Sequence, residues 1–278
     1  MVVDELMECS SDIPSSALSF RAVLPRLAPP LHPFADMAID ILAIGAHPDD
    51  VDLTCGGTLA KAVGDGRSVV IADLTRGELG TRGTPEIRAR EAAQAASILG
   101  VAERRNLDLP DGNIEVSKEN VRTVMTLLRE LRPRIIIIPH SEERHPDHVH
   151  AYRLCKEAWF YSGLRNLPTS AHGRNQEPHR PENFFEFMQW YEFRPSFIID
   201  VSDVYETKMK AIRSFASQFH KPDSTEPPTK LSRPEFLELI EVRSRYYGKR
   251  IGVLHGEPFF SVAPIGVRSF DDLIMDKG

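Results

Sequence analysis

From Ala38 onward the chain alternates short apolar runs with segments that carry helical spacing. "AIDILAIGA" (38–46), "SVVIADL" (68–74) and "RIIIIPH" (134–140) are apolar without a polar alternation, the pattern of strands covered on both faces. "RRNLDLP" (104–110) is a shorter strand of the same series. Between these runs lie "CGGTLAKAVGDG" (55–66), closed by Gly64 and Gly66, and "TPEIRAREAAQAASILG" (84–100), with Pro85 in its first turn and Gly100 as its stop. "SKENVRTVMTLLRELRP" (117–133) opens on Ser117 as N-cap and ends at Pro133, and "HVHAYRLCKEAWFYSG" (148–163) is a further helix. Strands alternating with helices predict an α/β fold, a mostly parallel sheet wrapped by helices with right-handed crossovers.

Outside this series the pattern is less regular. "PSFIIDVSDVYETKMKAIRSFASQF" (195–219) reads as strand, turn and helix, and "RPEFLELIEVRSRYYGKRIGV" (233–253) as a helix ending near Gly248. "LPTSAHGRNQEPHRPENF" (167–184) is Pro- and Asn-rich and reads as a long loop over the site or at a subunit contact, with His172 and His179 exposed. Residues 1–36 start acidic, lack a long apolar core and are rich in Ser and Pro. They make a poor signal peptide and read as a loosely ordered arm, leaving 37–278 as a single domain. Met37 stands directly before the first strand and marks an alternative start.

In such a sheet ligands bind beyond the carboxyl ends of the strands. The loops there are "HPDDVD", "TRGELGTRGT", "PDGN" and "HSEERHPDHVH". The opposite edge carries "GDGR", "GVAER" and "RPR", with no histidine and no paired acids. Ionisable side chains therefore gather on one edge. A single His-Pro-Asp is commonly a turn whose Asp caps the next helix. Here the pattern occurs twice, as HPDD and HPDH, each at the mouth of a strand. His47, Asp50 and His148 together supply three N/O ligands and leave a position open, the count of a catalytic metal centre. Imidazole and carboxylate suit zinc, with iron(II) the alternative.

Asp49 neighbours a ligand without being needed as one, which frees it for proton transfer. His145 and Asp147 form an orienting pair, and Asp147 also suits the N-cap of the helix beginning near His148. "LPDG" (109–112) reads as a plain turn, and His140 and His150 as bystanders in a polar loop. Arg76, Arg82 and Arg88 in the second loop and Arg144 in the fourth bring guanidinium groups to the same edge, which suits a carboxylate or phosphate on a small substrate. Arg90 reads as a solvated helix residue paired with Glu86 or Glu91.

Charge and cysteine usage narrow the setting. The 278 residues include 40 acidic and 34 basic side chains, a net charge of −6, which gives no general pull towards nucleic acid or an anionic membrane. No apolar run approaches the roughly 20 residues of a membrane span. Cys9, Cys55 and Cys155 are scattered and form no CxxC, against a disulfide framework or a thiolate zinc site. A reducing cytoplasm is the expected compartment.

"AHPDDVDLTCGGTLAK", "LTRGELGTRGTPEIRAREA", "NLDLPDGNI" and "RHPDHVHAY" together resemble the LmbE/PIG-L-like zinc deacetylases. Within that family they lie nearest the branch that deacetylates N-acetylglucosaminyl L-malate in bacillithiol biosynthesis. The resemblance spans about 39–260 and includes "RYYGKRIGVLHGEPF". It implies a Rossmann-like three-layer α/β/α fold with one zinc ion on His47, Asp50 and His148. It also implies Asp49 as general base, His145 and Asp147 as a charge-stabilising pair, Arg88 as a substrate contact, and a homo-oligomer, by analogy a hexamer. The malate carboxylates would give Arg82, Arg88 and Arg144 a partner. Relatives use a tyrosine from the carboxyl-terminal region to polarise the scissile carbonyl. Phe236 falls there in this chain, with Tyr246 or Tyr247 as substitutes. The same chemistry on an inositol conjugate or a chitooligosaccharide is the neighbouring reading. A non-catalytic nucleotide-binding module is the distant one: the first βα turn lacks G-x-G-x-x-G and puts carboxylates where phosphates would lie.

Overall fold

In the computed structural model the described residues are 38–274, so the arm expected over 1–36, Met37 and Cys9 lie outside them. Four strands, β1 (Ile41–Gly45), β2 (Val69–Thr75), β3 (Glu103–Leu109) and β4 (Ile135–Pro139), alternate with α1 (Asp50–Gly64), α2 (Pro85–Leu99) and α3 (Lys118–Leu131). α4 (Pro146–Ser162) follows β4. The remaining elements are the two-residue β5 (Ser170–Ala171) and β6 (Arg174–Asn175), then β7 (Asn183–Phe187), β8 (Phe197–Asp200), α5 (Tyr205–Arg213), α6 (Phe236–Ile251), β9 (Gly256–Phe260) and a short 3-10 turn (Phe270–Leu273). The main sheet runs β3-β2-β1-β4-β7-β9-β8. It is parallel from β3 to β7, and β9 is antiparallel to both its neighbours. The expected mostly parallel sheet with flanking helices is the observed one.

β1, β2 and β4 lack polar alternation because both their faces are covered. Successive side chains point to opposite faces. Leu42, Ile44, Val70, Ala72, Ile136 and Ile138 pack with Val124, Leu128, Leu154 and Ala158 of α3 and α4. Ala43, Val69, Ile71 and Ile137 pack on the other side with Leu59, Ala95, Leu99, Ile212 and Phe215, from α1, α2, α5 and the turn after α5. Ser117 caps the start of α3 by accepting from Asn120 N–H, and Gly100 closes α2 in the left-handed region, both as the sequence suggests. Thr84, not singled out there, caps the start of α2 by accepting from Ile87 N–H.

α1 departs from expectation. It begins at Asp50 rather than Cys55, and it breaks at Cys55, whose φ and ψ are −126° and 15°. A buried ion pair straddles the break. Lys208 Nζ of α5 donates to Thr54 O (3.2 Å), the carbonyl end of the first turn, and to Glu257 Oε1 (2.6 Å). Glu257 of β9 accepts from Gly57 N–H (3.0 Å), Thr58 N–H (2.6 Å) and Thr58 Oγ1 (2.6 Å), the amide end of the second segment. Cation at a helix carboxyl end and anion at an amino end match the backbone dipoles at each. The first turn of α1 is thereby a separate unit with its own direction.

Three other expectations are corrected. α6 runs through Gly248 to Ile251 and stops at Gly252, whose φ of 82° suits glycine. The segment 167–184 is tied to α3 by Arg129, which donates to Ser162, Leu164 and Leu167 carbonyls, and by Gln176 to Thr126 O. It forms the β5–β6 hairpin and runs into β7. His172 is exposed, whereas His179 is half-buried and bonded to Pro133 O at 2.7 Å.

Candidate metal centre and its cavity

β1 ends at Gly45, and the chain turns at once into the first segment of α1. Asp50 folds back so that Oδ2 accepts from His47 N–H (2.9 Å), fixing HPDD as a closed turn. Asp49, the residue before the helix, sits at φ 140° and ψ −23°. That backbone is strained for a residue with a Cβ, and such strain concentrates at functional sites. On the neighbouring strand's loop, α4 begins at Pro146 with His145 as its N-cap, its Nδ1 accepting from Asp147 N–H at 3.2 Å. Asp147, expected to be the cap, instead lies inside the first turn.

His47, Asp50 and His148 converge: one ligand atom from each lies within 4.8 Å of the other two. Asp50 stands between the imidazoles, Oδ2 3.5 Å from His47 Nδ1 and Oδ1 3.3 Å from His148 Nε2. Burial alone would push the Asp50 carboxyl up, but His148 and His47 hold it well below its usual range. Burial opposes charge on His148, yet Asp50 and Glu143 raise it to about 9. His47 is also raised well above its usual value, against burial, through Asp111, Asp147 and Asp50. The field between these three side chains favours positive charge. Two imidazoles and one carboxylate, buried and each with a second polar partner, fit a divalent ion such as zinc.

The partners were only partly legible in the sequence. His47 Nε2 lies 3.0 Å from Asp111 Oδ1 and 3.4 Å from Asp147 Oδ2. Asp111, read as part of a plain turn, is held by Leu79 N–H (2.8 Å) and carries one of the closest contacts to His47. Its signal was position: a carboxylate after a third strand on the same edge. Asp147 also accepts from Gly112 N–H at 2.7 Å, so its carboxylate serves His47. His145 stacks near His148 with ring centroids 5.0 Å apart. Burial and the neighbouring His47 and His148 lower its pKa, and Nδ1 accepts a backbone N–H, so the neutral ring carries its proton on Nε2.

Asp49 lines the same cavity as Asp50 and His148 and pairs with Arg88, whose Nη2 donates to Asp49 Oδ1 (3.2 Å) and to Pro48 O (2.7 Å). Arg88 Nη1 donates to Gly77 O at 3.3 Å. Burial raises Asp49 to about 7 in spite of Arg88. A Cβ at position 77 would collide with Arg88 Nη1, so the glycine of "TRG" makes room for the guanidinium.

The arginines divide. Arg88 is buried, and its bonds are to the chain itself. Arg82 is buried too, donating to Ser217 O, Ser224 Oγ and Pro227 O and pairing with Glu226. Arg76 is exposed and pairs with Asp108 at 2.6 Å. Arg144 alone of the four lines the cavity, its guanidinium carbon 4.7 Å from the Trp190 ring centre. Arg243 of α6, unremarked in the sequence, lines it as well. His140 bonds Glu186 at 2.5 Å, in keeping with a bystander role.

That cavity, about 670 Å³, has Asp49, Asp50 and His148 in its wall together with Glu143, Gln189 and Glu192. Its outer wall is built from Trp190, Leu231, Phe236, Leu239, Ile240 and Tyr246. Phe236 therefore does reach the cavity and brings no hydroxyl. Tyr246 reaches it with one, while Tyr247 is 1% exposed and packed inside.

Comparison with known proteins identifies relatives of this chain. Residues 42–159 match the model of the PIG-L family, described as GlcNAc-PI de-N-acetylase. The diacetylchitobiose deacetylase of Thermococcus kodakarensis is 33% identical over 251 residues, 86% of this chain and 89% of its own length. The 1D-myo-inositol 2-acetamido-2-deoxy-alpha-D-glucopyranoside deacetylase of Nocardiopsis dassonvillei is 30% identical over 46% of this chain and 57% of its own. Among solved structures, the conserved protein TT1542 of Thermus thermophilus superposes with a TM-score of 0.74 at 38% identity, covering 82% of this chain and 97% of its own.

Proposed function

Because the chain belongs to the PIG-L family of de-N-acetylases, we propose that it is a metal-dependent hydrolase that removes the acetyl group from an N-acetylglucosamine-type conjugate. The observation that carries this reading is the convergence of His47, Asp50 and His148 at the wall of a cavity that also presents Asp49. His47, Asp50 and His148 would hold the ion, and we assign it as zinc. Bound there, it would supply Lewis-acid polarisation of the acetamide carbonyl and make water more acidic.

The chain's own groups account for the proton traffic. Asp49 faces the cavity and accepts a proton from the attacking water as its oxygen bonds to the acetamide carbon. The C–N bond then breaks, and the same carboxyl returns the proton to the leaving amine, giving acetate and a free amino sugar. Arg88 holds Asp49 in place and is a positioning residue in this scheme. His145 contributes as a neutral Nε2–H donor towards charge developing on the carbonyl oxygen. Asp111 and Asp147 fix the orientation of the His47 ring. Among the described residues no helix is long and apolar enough to cross a membrane. We place the enzyme in the cytoplasm, acting on a small amino-sugar conjugate.

For the aglycone, Arg144 and Arg243 in the cavity favour an acidic group, as in N-acetylglucosaminyl L-malate of bacillithiol synthesis. A second reading, diacetylchitobiose, is favoured by the likeness along 86% of the chain to an enzyme named for that sugar. Amine release from the malate conjugate, diacetylchitobiose and the inositol conjugate by zinc-loaded protein separates them. The highest kcat/KM on the malate conjugate supports the acidic aglycone. Preference for the disaccharide or the inositol conjugate keeps the chemistry and removes that substrate.

A further inference from the structure

Three consecutive residues after β7 connect to two of the three candidate ligands, to Asp50 directly and to His148 through Glu143. Gln189 Nε2 donates to Asp50 Oδ1 at 2.8 Å. Trp190 N–H and Tyr191 N–H both donate to Glu143 Oε1, each at 2.7 Å. The other oxygen of Glu143 lies 3.4 Å from His148 Nδ1. The Glu143 side chain is 1% exposed, so this carboxylate is committed to the site rather than to solvent. The three-residue segment is itself pinned, since Arg243 of α6 donates to Gln189 O.

The polarity of these contacts matters. An imidazole that donates Nδ1–H to a carboxylate presents a bare Nε2 on its other side. For His148 that other side is the one facing Asp50. A carboxylate that accepts from an amide N–H is likewise fixed in rotation, which is what Gln189 does for Asp50. The side chain of Trp190 meanwhile lines the cavity, with the Arg144 guanidinium 4.7 Å and the Lys230 ammonium 4.6 Å from its ring centre.

We infer that Glu143 and Gln189 are positioning residues for the metal centre, and that segment 189–191, anchored by Arg243, joins the substrate-facing wall to Asp50 and His148. This rests on the reading of His47, Asp50 and His148 as metal ligands. Loss of such outer partners typically weakens metal affinity by about 10–100-fold.

The test is zinc affinity of the full chain, measured by competition with a chromophoric chelator, beside thermal melts and the absorption spectrum of the cobalt(II)-loaded protein. Glu143→Gln keeps an oxygen for the two backbone N–H groups but cannot accept from His148 with a full carboxylate. A merely loop-holding Glu143 predicts unchanged affinity in Glu143→Gln. The inference predicts a loss of about 10-fold or more with an altered cobalt spectrum and a near-native melt. Gln189→Leu, which removes the donor to Asp50, falls by a similar factor. Trp190→Ala keeps the backbone N–H, so zinc affinity holds while KM rises. If Glu143→Gln and Gln189→Leu both bind zinc within about threefold of the parent, less than the smallest loss expected of an outer partner, the inference is wrong while the metal reading stands. If the parent itself binds no zinc, the metal reading fails and takes the inference with it.

Discussion

The buried Lys208–Glu257 pair offers a quantitative test of how the first turn of α1 is held. Both side chains are almost fully buried, 4% and 2% exposed. Lys208→Met removes the cation and leaves Glu257 buried with only the amide and hydroxyl donors of Gly57 and Thr58. Stranding one partner of a buried pair costs about 3–5 kcal/mol. At roughly 2–4 °C per kcal/mol for a domain of this size, the melting temperature should fall by ~6–20 °C. Glu257→Gln strands Lys208 in the same way and should cost a comparable amount. The double variant strands no charge, and the introduced glutamine keeps one oxygen for the freed N–H groups of α1. Its cost should be only about 1–3 kcal/mol, that of imperfectly replaced hydrogen bonds. Chemical and thermal unfolding of the parent, both single variants and the double variant close a double-mutant cycle. A double variant less damaged than either single is the expected result. Additive losses would refute the claim that the two charges act as a unit across the helix break.

Other consequences follow from how the arginines divide. Arg144→Ala should raise KM for an acidic-aglycone substrate about 10-fold, the scale of one charge-assisted hydrogen bond, and change KM little for a neutral one. Steady-state kinetics on both substrates check this. Arg82→Ala should leave KM near the parent value. It should instead make the segment around 217–227 sensitive to limited proteolysis, because that guanidinium ties Ser217, Ser224 and Pro227 together. A chelator that strips the protein should abolish acetate release, and one equivalent of zinc should restore it. Full activity in the stripped protein would dismiss the ion from the reaction.

The first four strands and their helices were legible because each writes its own local pattern. Residues 135–138, covered on both faces, can show no alternation. β7 and β9 were not legible. Glu186 and Glu257 interrupt their short apolar runs, and those acids are buried only because His140 and Lys208 arrive from distant segments. The candidate ligands read from HPDD and HPDH lie together in space, since each motif is a local turn at a strand end and the parallel sheet brings the ends side by side. Its supporting groups stayed hidden. Nothing near Glu143, Gln189 or Arg243 in sequence signals that they converge, and Asp111 looked like any turn aspartate. Arg144 lines the cavity as the edge position suggests, whereas the inward direction of Arg82 and Arg88 stayed hidden for a related reason. A guanidinium near a site edge reads alike whether it points to substrate or, like Arg88, inward to Asp49.

The central claim is that Asp49 moves the proton at a centre formed by His47, Asp50 and His148. The most direct test measures acetate release and bound zinc together for the parent and for Asp49→Asn. The account predicts equal zinc content and a fall in kcat of about 10²–10⁴, the usual weight of a general base. Equal zinc with a near-parental kcat would contradict it.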